Sequence, residues 1–113
     1  MSAYRQLTDR LFSVYTDIVK FEWDQKKSAS NKGKHGVTFE EAITAFDDPY
    51  ALIEEDKRHT AERRDRIIGE ADPGVLVVVF TVRQSGSVYR IISARRASRK
   101  ERKLYEEAKG IPI

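Results

Sequence analysis

Val75-Leu-Val-Val-Val-Phe-Thr-Val82 is an apolar run enclosed by Glu70-Ala-Asp-Pro-Gly74 and Gln84-Ser-Gly-Ser87. A stretch this rich in β-branched side chains, between two turn sequences, reads as a strand; continuous apolarity without alternation makes it a central one, buried on both faces. Its neighbours follow from the turns: Val88–Ala94 after it, Arg64–Gly69 before it, and the shorter Tyr50–Glu54 before that. Short connections join these into an antiparallel meander.

Upstream of the meander the pattern changes period. Lys20–Trp23 alternates aromatic and polar residues and reads as a short strand. Asp24 is placed to N-cap a helix running to Lys34, and Gly36 to end it. Thr38-Phe-Glu-Glu41 is a capping box opening a second helix, with Phe39, Ala42, Ile43 and Phe46 as its apolar stripe; Asp47-Asp48-Pro49 closes it. Ser98-Arg-Lys-Glu101 is another capping box, and its helix runs toward Lys109 before Gly110 and Pro112. Residues 3–19 carry Ala3, Leu7, Leu11, Val14, Tyr15 and Ile18 at helical spacing, which predicts an extra N-terminal helix. The expected architecture is α+β: a helical extension over 1–19, then one domain over 20–113.

Composition narrows the chemistry. With 113 residues, 40% of them apolar, the chain is sized for one core. It has no cysteine and 2 histidines, which removes disulfides, thiolate nucleophiles and Cys-based metal sites and disfavours a His-rich cage. No cofactor is expected. No apolar stretch approaches a membrane span or a secretory leader, so the expected location is the cytoplasm.

The net charge of +3 conceals a strong segregation. Between Thr38 and Asp56 every charge is acidic, whereas between Arg83 and Lys103 eight cations face the single acid Glu101. Such a distribution suits a polyanion on one side, although solvated helix faces give the same pattern. Lys27, Asn31, Lys34 and His35 share one helix face, a polar cationic stripe in which His35 equally serves as a cap near Gly36. Strict alternation puts Ile91, Ser93 and Arg95 on one side of the last strand and Arg90 and Ile92 on the other. Arg95, Arg96 and Arg99 then lie at a helix start, a place suited to a phosphate. Glu101 is explained by its cap alone. Alternation aligns Arg64 with Arg66, and His59 reads as a loop histidine.

A set of short motifs now stands in order: Phe21-Glu-Trp-Asp24, Lys27, Asn31, Lys34-His-Gly-Val37 and Phe39-Glu-Glu-Ala42. After them come Asp48-Pro49, Glu62 with Arg64, Gly69, Thr81 with Arg83, and Arg90-Ile-Ile-Ser-Ala-Arg95-Arg-Ala-Ser98-Arg-Lys-Glu101-Arg102 with Tyr105. In order and spacing the set resembles the BrnT family of toxins across residues 20–107. Ser98 stands where that family more often has Thr, and Val82 where an acidic residue is common.

The resemblance implies a RelE-like fold and a ribonuclease that acts as the toxin of a type II toxin–antitoxin pair. It further implies a BrnA-like antitoxin with a ribbon-helix-helix part, a heterotetramer built on a dimeric antitoxin, and operator DNA reached only through that antitoxin. RNA cleavage without a metal needs a base near the 2′-OH, cations around the phosphate and an acid for the leaving oxygen. By the ordinary pKa of imidazole, about 6.5, His35 is the best acid–base candidate. Lys27, Arg64 and Arg95 would clamp the phosphate, with Glu101 taking a proton or orienting Arg95. Asn31, Lys34, Arg83, Arg96 and Arg99 would hold the rest of the RNA, and Tyr105 would stack on a base. The competing reading from a different class is a non-catalytic module that binds nucleic acid or an antitoxin.

Overall fold

The computed structural model describes residues 4–5, 11–15, 19–58 and 61–110. Strands β1 (Tyr4–Arg5), β2 (Leu11–Tyr15) and β3 (Lys20–Asp24) lead into helices α1 (Gln25–His35) and α2 (Phe39–Ala42), the latter continued by a 3-10 turn over Ile43–Asp47. The meander is β4 (Leu52–Asp56), β5 (Arg64–Ala71), β6 (Gly74–Arg83) and β7 (Val88–Arg96), and α3 (Arg99–Lys109) ends the fold. All seven strands form one sheet in the order β1-β2-β3-β7-β6-β5-β4. The meander is antiparallel throughout, and β3 joins its far side parallel to β7.

The N-terminal expectation needs correcting. Leu11–Tyr15 is a strand of the sheet, not part of a helix, with Phe12 in register with Trp23 and Val14 with Phe21. Leu-Phe-Ser-Val-Tyr is strong strand material, and the open edge of β3 supplies the backbone partners that a helix would otherwise have to find within itself. Tyr4–Arg5 is likewise a strand, paired with Ser13 and Phe12; the other residues of 1–18 and His59 lie outside the described residues.

Local signals elsewhere are met as the chemistry requires. Asp24 accepts from the amides of Lys26 and Lys27, and Gly36 caps α1 in the left-handed region at φ 74°. Both capping boxes are closed in both directions. Gly69 is small because a Cβ there would come within 2.9 Å of the Ala45 carbonyl.

The main core lies on one face of the sheet. Trp23, Ile67, Leu76, Val78, Phe80, Ile91 and Ala94 are buried there beneath Val37, Phe39, Ala42 and Ala45. The opposite face holds a smaller apolar cluster of Ile68, Val77 and Tyr105, over which α3 lies. That leaves the rest of the second face to polar side chains, and this is where the site sits.

Candidate functional site

A β-bulge decides which residues of β7 face where. Val79 pairs with Ser93 and Phe80 with Ile91, so Ile92 has no partner on β6. Alternation reverses phase at this point. Ile91 and Ala94 both reach the main core, while Ser93 and Arg95 go to the α3 side with Arg90. The expected grouping of Ile91 with Ser93 and Arg95 is therefore wrong by one inserted residue.

On that face the register sets Glu54, Arg66, Val79 and Ser93 in one row across four strands, and Leu52, Ile68, Val77 and Arg95 in the next. Arg95 donates through Nη1 to Glu101 Oε1 at 2.7 Å and through Nη2 to Oε2 at 2.9 Å, a bidentate pair. Arg66 donates through Nε and Nη2 to Glu54 Oε1 at 3.0 and 2.7 Å, and its Nη1 meets Glu101 Oε2 at 3.5 Å. Glu101 Oε1 also accepts from the Ser98 amide at 2.8 Å. The anion at the start of α3 is thus the protein's own carboxylate, in the place suited to a phosphate.

The hydrogen bonds from Arg95 hold the Glu101 carboxyl at about 2 against the opposing effect of burial, and Ser98 contributes in the same direction. The same bond raises the Arg95 pKa. A depressed carboxyl contributes stability that is complete above its unfolded pKa and is lost as the pH falls through the folded one. For Glu101 that window runs from about pH 4.5 down to about 2. Glu101→Gln is expected to flatten this part of an acid-unfolding curve followed by circular dichroism; a curve with the wild-type slope there would contradict the pairing.

Beside this row is a cavity of about 280 Å³ lined by Lys27, Ser30, Asn31, Lys34 and His35 from α1 and by Ile92 and Ser93 from the bulge. Ser93 therefore belongs both to the cavity wall and to the face that carries Arg95. The structure gathers the four α1 residues as their spacing predicts and sets Arg95 alongside them, not among them. Lys27, Lys34 and His35 make no ion pair among the described residues.

Asn31 lines the cavity, but its amide is spent on the fold. It donates to the carbonyls of Val37 at 2.8 Å and Ala94 at 2.7 Å and accepts from the Ala94 amide at 3.2 Å. Beyond Arg90, where β3 has given way to α1, this side chain takes over the free edge of β7.

The remaining candidates divide. Arg64 and Arg83 both approach Glu62, at 3.8 and 3.9 Å, and Arg83 also donates to Thr81 Oγ1. Arg96 turns away to the Pro73 carbonyl on the β5–β6 turn. Arg99 is exposed in the first turn of α3. Tyr105 corrects its expectation: it is 1% exposed, packed on Ile68 and Val77, and its hydroxyl donates to Asp48 Oδ2. Burial and that bond raise its pKa. A ring enclosed in this way has no face to offer a base. Arg66 and Ser93 are the residues that the candidate set missed; the alternation that aligned Arg64 with Arg66 is the signal that would have found the first.

Among the described residues no three His, Cys, Asp or Glu side chains converge to hold a metal ion, and no helix is long and apolar enough to cross a membrane.

Comparison with known proteins adds the following. Residues 23–101, from the end of β3 into the first turn of α3, match the family model described as the ribonuclease toxin BrnT of type II toxin–antitoxin systems. Among solved structures, the 1.1 Å crystal structure of the Brucella abortus ribonuclease toxin BrnT is similar. It is 26% identical and has a TM-score of 0.52, with 73% of this chain and 96% of that chain covered. No curated protein matches.

Proposed function

The chain belongs to the BrnT family of ribonuclease toxins from type II toxin–antitoxin systems, and from that membership we propose that it cuts messenger RNA without a metal ion and so arrests translation. The observation that carries the reading is the bidentate Arg95–Glu101 pair set on the same sheet face as the wall of a cavity holding Lys27, Lys34 and His35.

In this reading the phosphate of the scissile linkage lies over Ser93. Arg95 meets the charge that builds on its oxygens, and Lys27 and Lys34 reach it from the α1 side. His35 handles the proton of the 2′-OH or of the leaving 5′-oxygen. Glu101, held near 2, is ionised at neutral pH and too weak a base to take that proton, so its part is to hold the Arg95 fork in plane. Arg64 and Arg83 extend the cationic track toward a neighbouring phosphate. Asn31 is assigned to positioning α1 rather than to touching RNA.

The toxin unit is assigned to residues 20–113, working in the cytoplasm. A BrnA-like antitoxin carrying a ribbon-helix-helix part would neutralise it in a heterotetramer, with operator DNA bound by the antitoxin alone. A neighbouring open reading frame for a small ribbon-helix-helix protein would support this assignment.

Incubation of purified protein with labelled mRNA in EDTA tests the activity: discrete products support it, and a shifted but intact band makes the chain a binding module instead. Contact with about four phosphates predicts a log–log salt slope near −3 on single-stranded RNA. A flat response in filter binding would argue against the cationic track.

A further inference from the structure

Arg66 belongs to none of the motifs that identify the family, yet it is wired into the site from outside. Its guanidinium lies between two carboxylates. Nε and Nη2 are taken by Glu54 Oε1 on the edge strand β4, and Nη1 is left for Glu101 Oε2. The side chain is 22% exposed, against 52% for Glu54 and 13% for Glu101.

The Glu101 carboxylate therefore has three holders. Ser98 fixes Oε1 from the helix start, Arg95 takes both oxygens, and Arg66 approaches Oε2. The terminal torsion of a glutamate is broad and roughly two-fold, so a carboxylate held at one oxygen swings easily. A bidentate fork requires both oxygens in the plane of the guanidinium. From this geometry we propose that Arg66 is a positioning residue for the reaction: with Glu54 as its anchor, it fixes the plane of Glu101 and through it the direction in which Arg95 is presented. The proposal rests on the endoribonuclease reading above. A lysine is a poor substitute, because its ammonium donates from one freely rotating point and lacks the rigid plane whose separate edges face Glu54 and Glu101.

The test is a kinetic cycle on mixed-sequence mRNA, assayed with and without ribosomes, using the full chain, Arg66→Met, Glu101→Gln and the double variant. Arg66→Met is expected to lower kcat about tenfold with KM held within about twofold, because a misaimed group costs rate rather than affinity. In the Glu101→Gln background the same change is expected to cost less than about twofold, since the route through the carboxylate is already cut. Arg66→Lys is expected to recover little of the loss.

Equal losses in both backgrounds would mean that Arg66 meets the RNA directly, and would overturn the proposal, as would an Arg66→Met enzyme of wild-type rate. Should Arg66→Met fail to fold by circular dichroism, Glu54→Gln takes its place in the cycle with a smaller expected loss, about threefold. Wild-type protein that cleaves nothing refutes the endoribonuclease reading itself, before any variant is compared.

Discussion

Arg95→Ala is expected to lower RNA cleavage by about 10²–10³ while the protein stays folded, because it removes a cation that Glu101 holds in place beside the position where charge develops. In cells, growth inhibition should vanish with it. The fold tolerates the change for a structural reason. Arg95 is 36% exposed at its side chain, and an ion pair so open to water contributes little to stability, on the order of 1 kcal/mol or less. Glu101 also keeps its Ser98 amide and its approach to Arg66 when Arg95 is gone, so the helix cap survives. Cleavage kinetics and a melting curve on the same sample check both halves. An alanine variant that is folded and fully active would remove Arg95, and the site built around it, from the mechanism.

The largest stability effect is expected at Asn31. Alanine there strips partners from the Val37 and Ala94 carbonyls and from the Ala94 amide, all within a buried seam. Leaving buried backbone groups unpaired costs about 1–3 kcal/mol each, partly relieved by water, so a loss of about 3 kcal/mol is expected. For a domain of this size that lowers the melting temperature by about 10–15 °C. Asn31→Asp should do no better: it retains the acceptor for the Ala94 amide but turns a charge toward two carbonyls. Lys34→Ala, one turn along the same helix and exposed, should leave the melting temperature within about 2 °C. Equal melting temperatures for the Asn31 and Lys34 variants would refute the bracket assigned to Asn31.

Most of the body was legible in the sequence because its signals are local. Asp24, Gly36, Thr38 with Glu41, and Ser98 with Glu101 mark element ends through bonds spanning a few residues, and the structure forms each of them. The run Val75–Val82 declares its double burial without reference to any partner, and the structure buries it from Leu76 to Thr81 while leaving Val82 exposed at the end. What escaped depends on contacts distant in sequence. Leu11, Val14 and Tyr15 fit a helical stripe as well as a strand, and the edge of β3 decides between them. Arg66 and Glu101 lie 35 residues apart, so nothing near either one announces their meeting. Tyr105 shares a helix with Glu101, but the sheet packed against that helix, not its periodicity, determines that the ring is enclosed. The clustering of Lys27, Asn31, Lys34 and His35 followed from helical spacing; that Asn31 is consumed by backbone required the strand beside it.

The inserted residue in β7 has a consequence for anyone altering this strand. Up to Ile91 the odd-numbered positions Tyr89 and Ile91 pack inward; past Ile92 the inward place passes to the even-numbered Ala94. Removing Ile92 would restore simple alternation and leave Ser93, Ala94 and Arg95 on the faces they now occupy, because Val79 and Phe80 already pair with Ser93 and Ile91. A single-codon deletion at that point would thus spare the polarity of everything downstream and cost the strand its bulge, together with the side chain that lines the cavity.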